Sequence, residues 1–212
     1  MADRPSLEVV TEVLGKAPER AFPESVEVSV NLKDLDLTVP KNRLEDEVQL
    51  PNGRGKTVKV AVFGSPELCQ KMRGVADLVV PANELDEFAK DKKAAKKAVT
   101  DIDFFLAEAP LMPTIGRRLG VILGPRGKMP RPVPPGSDPT NLVNALKRSI
   151  RIRSKGNRTF HAPVGIRTMP PEQLAQNVDA VLNRIVGKLE RGRTNIESVY
   201  VKTTMGPAVR LW

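Results

Sequence analysis

The sequence predicts a two-domain α/β protein in which both ends of the chain share one domain and the middle forms another. Residues Ser25–Leu32 alternate strictly between apolar and polar side chains, which is typical of a strand with one face open to solvent. Between about residues 57 and 150, short apolar strands alternate with helices, which indicates a parallel sheet. After Arg151 the first pattern returns, so the two ends are similar in character.

The N-terminal segment is predicted to contain one helix and two strands. Its first apolar residues recur every three or four positions, which indicates a short amphipathic helix ending near Gly15 and Pro18. The strand Ser25–Leu32 follows. A weaker strand is predicted within Asn42–Pro51 from Val48 and Leu50, and the turn signal Pro51-Asn52-Gly53 ends it.

The middle segment is predicted to repeat a strand followed by a helix. The strands are Val58–Phe63, Asp77–Pro81 and Asp103–Ala107. Ser65 is predicted to cap the first helix with Pro66 at its first position, and Asn83 is predicted to cap the second. A short helix over Pro113–Leu119 should lead into Gly120–Leu123. A last helix should open at Asp138 and Pro139 and carry Leu142, Val143, Leu146 and Ile150 on its apolar face.

The C-terminal segment is predicted to hold strands at Thr159–Ile166 and Glu197–Thr204, with an amphipathic helix from about Pro170 between them and a short final strand within Ala208–Trp212. Neither end of the chain is long enough for a comfortable core of its own. We therefore predict that residues 1–55 and 152–212 form a discontinuous α+β domain of split β-α-β type. Residues 56–151 are predicted to form an inserted, Rossmann-like parallel α/β domain, joined by two crossing strands that make a hinge plausible.

Composition excludes several classes of function. Cys69 is the only cysteine and His161 the only histidine, so neither an internal disulfide nor a zinc site is expected. Gly55-Lys56-Thr57 resembles the end of a phosphate loop, but Leu50 stands where that motif needs glycine and a strand follows it. No catalytic residue, metal or cofactor is predicted. The N-terminus lacks a signal peptide and no segment is long enough to span a membrane, so we expect a cytoplasmic protein.

The positive charge is concentrated in Gly120–Arg158, which holds nine basic residues and one acid, or +8 of the total net charge of +9. Together with an isoelectric point of about 9.8, this predicts a polyanionic partner such as nucleic acid. Individual basic residues are more often part of a solvated surface. For the set we favour contact with a phosphate backbone; the auxiliary candidates are Arg126, Lys128, Arg151, Arg153, Lys155 and Arg158.

Four ordered motifs carry a resemblance to a known family. They are Phe22–Val28 (FPESVEV), Gly124–Pro130 (GPRGKMP), His161–Gly165 (HAPVG) and Ser198–Pro207 (SVYVKTTMGP). Together they resemble large-subunit ribosomal protein one, the L-one family, from about Phe22 to the C-terminus. The short N-terminus and the Leu35–Pro51 segment are more similar to the archaeal branch than to the bacterial one.

The resemblance implies a fold, a function and a binding site. The family builds the mobile lateral stalk beside the transfer-RNA exit site from a two-domain protein, and its first domain makes the main RNA contacts. Carried over by motif, the RNA-binding residues are Phe22, Ser25, Glu27, His161, Val164, Gly165, Thr203, Thr204, Met205, Gly206 and Pro207. Ser25 replaces the commoner threonine but keeps the hydroxyl, whereas Ala21 replaces a lysine found in many relatives and removes a phosphate contact.

The resemblance also implies partners. They are the stalk junction of large-subunit ribosomal RNA, the large ribosomal subunit, exit-site transfer RNA and the protein's own messenger RNA, whose translation it would repress. Off the ribosome a monomer is expected. Two alternatives stay open: a nucleotide-binding α/β enzyme, which needs a glycine-rich loop after the first middle strand, and a general nucleic-acid-coating protein, which needs stacking aromatic residues.

Overall fold

A computed structural model describes residues 4–90 and 92–212, apart from the side chains of residues 89, 92 and 94. The chain divides into two compact units. The terminal unit comprises Met1–Lys56 and Arg148–Trp212, and the inserted unit comprises Thr57–Lys147. Each unit has its own hydrophobic core.

The described chain contains helices and strands throughout its length. In order they are α1 (Ser6–Lys16), β1 (Ser25–Leu32), β2 (Glu45–Gln49), β3 (Val60–Gly64), α2 (Pro66–Met72), β4 (Leu78–Pro81), α3 (Leu85–Lys90), α4 (Lys92–Asp101), β5 (Phe104–Glu108), α5 (Met112–Arg126), β6 (Arg131–Val133), α6 (Thr140–Lys147), β7 (Ser149–Arg153), β8 (Thr159–Ile166), α7 (Pro171–Lys188), β9 (Ile196–Thr203) and β10 (Val209–Arg210).

The terminal unit is built on a four-stranded antiparallel sheet in the order β10-β9-β1-β8. Strands β8 and β9 are joined by α7 and lie on either side of β1, which makes a split β-α-β arrangement. The strict alternation of β1 buries Val26, Val28 and Val30 completely in the core that α1 and α7 cover. This confirms the α+β class predicted for the two ends of the chain.

A two-stranded antiparallel ribbon, β2 with β7, also belongs to the terminal unit. Ile150 and Ile152 on β7 are buried in the same core as β1. The prediction that Ile150 lies on the apolar face of a helix was therefore wrong, because α6 ends at Lys147. The same packing places the unit boundary before β7, whereas the sequence analysis put it after Arg151.

The inserted unit is a parallel sheet in the order β4-β3-β5-β6. Residues of α3, α4 and α5 share one apolar cluster with the sheet, and residues of α2 and α6 share another, so helices cover both faces. Phe63 and Phe105 stack within the first cluster with ring centroids 5.8 Å apart. The predicted Rossmann-like parallel class is confirmed.

Of the two helix caps predicted in the inserted unit, one is confirmed and the other is wrong. The Ser65 hydroxyl accepts a hydrogen bond from the amide of Leu68, and Pro66 begins α2, as the capping pattern predicts. Asn83 does not cap a helix: it lies within a 3-10 turn, and α3 begins only at Leu85. Strand β6 was missed because Pro132 within it, and Pro130 and Pro134 beside it, disrupt the usual strand pattern. Pro132 is tolerated there because β6 is an edge strand.

The segment predicted as a short helix and an extension is one continuous helix, α5. Its glycines and Pro125 do not interrupt it; Pro125 lies in the last turn, where it lacks the backbone N–H that would donate to the carbonyl of Val121. Gly127 then ends it with φ of 65°, its amide donating to Gly124 and the following amide donating to Leu123 at 2.8 and 3.0 Å. Such a left-handed glycine stop is a common helix terminus.

Residues 4–90 and 92–212 hold neither a membrane-spanning helix nor a cluster of metal-binding side chains. No helix there is both long and apolar enough to cross a bilayer. No group of three or more His, Cys, Asp or Glu side chains in that part of the chain is arranged to hold a metal ion. Cys69 is buried on α2, and burial raises the pKa of its thiol.

Candidate nucleic-acid interface

The register of the terminal sheet brings three predicted segments together at one end. The first residues of β1 lie beside the last residues of both neighbouring strands, so Val26 pairs with Gly165 on one side and with Thr203 on the other. The residues predicted from separate motifs therefore converge, although Val26 is more than a hundred positions before Gly165 and Thr203. This shared edge, where β1 begins and β8 and β9 end, is called the strand-end surface below.

The loop Thr203–Pro207, which follows β9, is held to the start of β1 by main-chain contacts. The amide and the hydroxyl of Thr204 both donate to the carbonyl oxygen of Ser25. The Gly206 amide donates to the Thr203 carbonyl at 3.3 Å. Because the loop is fixed through its backbone, the Met205 side chain is left 60% exposed, and Phe22, which precedes β1, is 51% exposed. Two large apolar side chains thus stand free at this end of the sheet.

The two glycines of the predicted site are required by packing within the protein. A Cβ on Gly206 would lie 2.3 Å from the Thr203 hydroxyl oxygen and 3.4 Å from the Ala17 Cβ. A Cβ on Gly165 would lie 2.4 Å from a methyl carbon of Leu174 on α7. The side on which each glycine lacks a Cβ therefore faces the interior of the protein.

Val164 is also directed inward and has no exposed surface. Its carbonyl accepts a hydrogen bond from the buried Asn177 amide at 2.8 Å. Val164 and Gly165 therefore support the strand-end surface from the core side. His161, by contrast, is exposed on β8.

The polar face of the sheet extends the strand-end surface. In register, Glu27 lies between Pro163 and Lys202. The next row crosses four strands and comprises His161, Ser29, Tyr200 and Arg210. These residues alternate with buried valines and so share the face opposite the helices. Tyr200, Lys202 and Arg210 were not identified from the sequence, although the period-two pattern of Glu197–Thr204 could have placed the first two on this face.

A third row of the same face is linked by side-chain hydrogen bonds. The Asn31 amide nitrogen donates to the Ser198 hydroxyl, and the Thr159 hydroxyl donates to the Asn31 amide oxygen, both at 2.7 Å. Such bonds hold neighbouring strands in one register. The polar face is therefore ordered from side to side.

Lys56 supplies a positive charge that the sequence analysis overlooked. Its ammonium donates to the Ser25 hydroxyl at 2.9 Å. It follows Gly55, whose φ of 72° and lack of Cβ let the chain pass Ile166. The tripeptide rejected as a phosphate loop thus contributes its lysine to the strand-end surface by another route.

The auxiliary basic residues of the terminal unit are dispersed. On β7, Arg151 pairs with Glu47 at 2.7 Å and Arg153 pairs with Glu45 at 3.0 Å, both acids lying on β2. Lys155 and Arg158 are exposed in the turn before β8, at the opposite end of that strand from Gly165. These four basic residues of the terminal unit are therefore not part of the strand-end surface.

The auxiliary residues of the inserted unit differ from one another. The Lys128 ammonium donates to the carbonyls of Val99, Thr100 and Ile102 at 2.9, 3.0 and 2.5 Å, around the end of α4. A cation at the carboxyl end of a helix is favourable because the terminal carbonyls lack partners. Lys128 therefore has a structural role, whereas Arg126 is exposed and donates a hydrogen bond to the carbonyl of Ile122 in its own helix.

Comparison with known proteins identifies the family. The model of the "Ribosomal protein L1p/L10e family" matches residues 14–207. A "Large ribosomal subunit protein uL1" from Thermoplasma acidophilum is 57% identical over 202 residues, covering 95% of this chain and 93% of the relative. Proteins of the same name are 49% identical over 212 residues in Methanocella arvoryzae, covering both chains fully, and 53% identical over 208 residues in Pyrococcus horikoshii, covering 97% and 94%. The resemblance to the archaeal branch is confirmed, and the chain belongs to the ribosomal protein L1p/L10e family.

Proposed function

We propose that this chain binds large-subunit ribosomal RNA through the strand-end surface of its terminal unit. The observation that carries the proposal is the convergence of the start of β1 with the ends of β8 and β9. The relatives are named for the large ribosomal subunit, which agrees with an RNA partner. The proposed contacts are made by Phe22, Ser25, Glu27, His161, Thr204, Met205 and Pro207, with Lys56, Tyr200, Lys202 and Arg210 added.

The chemistry of this surface suits folded RNA. Hydroxyl groups and a carboxylate can form hydrogen bonds with ribose 2′-hydroxyls and base edges. Such bonds distinguish RNA from DNA and one base from another, which contacts to phosphates alone cannot do. Lys56 and Lys202 supply charge for phosphates at the same end. Exposed Met205 and Phe22 can pack against an unstacked base or a ribose. Val164, Gly165 and Gly206 act by shaping this surface from below.

We further propose the roles that the family resemblance implies. The protein, a monomer when free, would form part of the mobile lateral stalk on the cytoplasmic ribosome and help release deacylated transfer RNA. It would also repress translation of its own messenger RNA by binding a site that resembles the ribosomal one. Both roles use the same surface, so ribosomal RNA should compete with the messenger for it.

The structural features favour this proposal over the two alternatives. A nucleotide-binding enzyme would place phosphates at the first strand–helix turn of the inserted unit, yet there the Ser65 hydroxyl donates to the Glu108 carboxylate at 2.8 Å. A carboxylate at that position disfavours an anionic ligand. A general coating protein needs a row of exposed aromatic rings, whereas Phe22 is the one large aromatic residue classed as exposed in the described chain.

The test is a binding titration over a series of salt concentrations. The ligands are a stalk-junction fragment of ribosomal RNA and an unrelated structured RNA of equal length. We expect tight binding to the fragment that persists as salt rises, while binding to the unrelated RNA collapses. Equal affinities that fall in parallel would reject specific recognition. Competition between the fragment and the leader of the protein's own messenger then tests the repressor role.

A further inference from the structure

A buried carboxylate lies directly beneath the strand-end surface. Glu24 is 1% exposed, one residue before β1. Its Oε1 accepts a hydrogen bond from the Met205 amide at 2.9 Å and faces the Thr203 hydroxyl at 3.4 Å. Its Oε2 has no hydrogen-bond partner in the described part of the chain. The nearest positive charge is Arg167, whose Nη1 is 3.7 Å away.

Arg167 is itself fixed in place from the other side. Its two terminal nitrogens donate to the carbonyls of Pro18 and Ala17, just after α1, at 2.5 and 3.0 Å. Its amide donates to the Glu24 carbonyl at 2.9 Å. The pair thereby connects four segments: the end of α1, the entry to β1, the exit of β8 and the loop Thr203–Pro207.

This arrangement is costly for stability alone. Burying the Glu24 carboxylate costs desolvation energy that its contact with the partly exposed Arg167 must repay, and apolar side chains of similar size often stabilise a fold as well or better. Here one carboxylate oxygen lacks a hydrogen bond and the other holds a main-chain amide of the proposed RNA-binding loop. A charged acceptor binds such an amide more strongly than a neutral one. The pair therefore fixes the conformation of this loop.

We propose that Glu24, oriented by Arg167, is a positioning residue that sets the loop Thr203–Pro207 in its RNA-binding conformation before RNA arrives. This inference rests on the proposed function. Glu24 is too deeply buried to touch RNA, in contrast to Glu27, which lies on the open face of β1. A preformed loop raises affinity because less ordering is needed on binding.

The test uses Glu24→Gln in the full-length protein. Glutamine keeps the size but loses the charge, and its NH₂ group competes with the donors of Arg167. We expect roughly tenfold weaker binding to the ribosomal RNA fragment, the loss of one charge-assisted hydrogen bond. In the free protein, hydrogen exchange at the Met205 amide should speed up while the amides of β1 stay protected.

Glu27→Gln is the matched control. It should weaken RNA binding without changing exchange at Met205, because Glu27 acts at the surface. If Glu24→Gln fails to fold, Arg167→Lys is the second variant; its single ammonium cannot hold both carbonyls after α1, so exchange at Met205 should again rise. Where both single variants fold, the double variant Glu24→Gln/Arg167→Lys should bind the fragment about as tightly as the single variant with the lower affinity.

The outcomes separate the inference from the function on which it rests. If the wild type prefers the fragment and Glu24→Gln binds it equally well, the positioning role is wrong and the function stands. If all amides of the variant exchange faster in parallel, Glu24 is merely structural and the inference is also wrong. If the wild type shows no preference for the fragment, the proposed function fails, and a change in Met205 exchange then describes a fixed loop without an RNA role.

Discussion

The carbonyl oxygen of Ser25 accepts two hydrogen bonds from Thr204, one from its amide at 3.0 Å and one from its hydroxyl at 3.2 Å. The first residue of β1 therefore fixes the loop that follows β9. The hydroxyl of Ser25 remains available to Lys56. Main-chain and side-chain groups of one serine thus serve two neighbours on the same surface.

Replacing Met205 by aspartate should weaken RNA binding. The side chain is 60% exposed, so the change should leave folding intact, while a negative charge beside the RNA backbone should lower affinity by about tenfold or more. Thr204→Ala should act in the same direction more weakly, because it removes one of the two bonds to Ser25. Filter binding or calorimetry with the stalk-junction fragment measures both changes.

Val121→Asp is the control for that experiment. Val121 is 83% exposed on α5 in the inserted unit and lies outside the strand-end surface. The affinity of the Val121→Asp variant for the fragment should match that of the wild type. An equal loss in both aspartate variants would show that added negative charge acts non-specifically.

Two glycines with similar backbone angles should respond differently to alanine. Gly53 and Gly55 have φ of 67° and 72°, but a Cβ at Gly53 would meet nothing within 4 Å, whereas one at Gly55 would lie 2.7 Å from a side-chain carbon of Ile166. Gly53→Ala should lower the free energy of unfolding by about 1 kcal/mol through backbone strain. Gly55→Ala should cost about 2–4 kcal/mol because overpacking adds to the strain. Denaturant unfolding distinguishes them, and equal losses would contradict the clash.

Lys128→Met should destabilise the inserted unit without weakening RNA binding by the terminal unit. Methionine is of similar length but leaves the carbonyls of Val99, Thr100 and Ile102 without their cation. Hydrogen bonds to a charged group contribute about 1.5–3 kcal/mol, so the thermal midpoint of this unit should fall. Arg126→Met, at an exposed position, should change stability by no more than about 0.5 kcal/mol. Normal stability with lost RNA affinity would instead support a phosphate contact for Lys128.

The ion pair between β2 and α7 should make stability depend on pH. Burial opposes ionisation of Asp46, but its hydrogen bonds from Arg184 and the nearby Lys188 charge outweigh burial and hold the pKa of this carboxyl below its ordinary value. A lowered folded-state pKa contributes stability above the unfolded-state pKa, and that contribution disappears as pH falls through the folded-state pKa. Asp46→Asn should therefore unfold more easily than the wild type near neutral pH, and the difference should close below about pH 3.9. Parallel denaturation series at falling pH check this, and a difference between the two proteins that stays constant over the series would contradict this role of the ion pair.

The sequence predicted best where one periodic pattern acted alone. The bounds of β1 and β8 were predicted correctly because their alternation and flanking turn residues agree. The first helix of the inserted unit was also placed well, since Ser65 and Pro66 form a local start signal. Where tertiary packing decides, prediction failed: Ile150 has the spacing of a helical apolar face, yet its place in the core of the terminal unit makes it part of β7.

The candidate site could be predicted only in part for a similar reason. The motifs supplied the segments that meet at the strand-end surface, but sequence order cannot tell which of their glycines face solvent and which face the core, as Gly165 and Gly206 show. Net charge pointed to Gly120–Arg158, and only three-dimensional contacts reveal that Lys128 and Arg151 are engaged within their own units. Lys56 gave no signal because nothing in the sequence links it to Ser25, 31 positions earlier.

The place of β1 in the terminal sheet limits the order in which the chain can fold as it leaves the ribosome that makes it. The Asn31 side chain pairs with Thr159, 128 positions later, and Glu24 contacts Thr203, 179 positions later. The inserted unit is complete once Lys147 has emerged. Until β8 and β9 follow, β1 has neither of its hydrogen-bonding neighbours, and its apolar face lacks α7. A nascent chain therefore carries an unpaired, valine-rich strand for most of its synthesis, which is the interval in which chaperones would be expected to bind it.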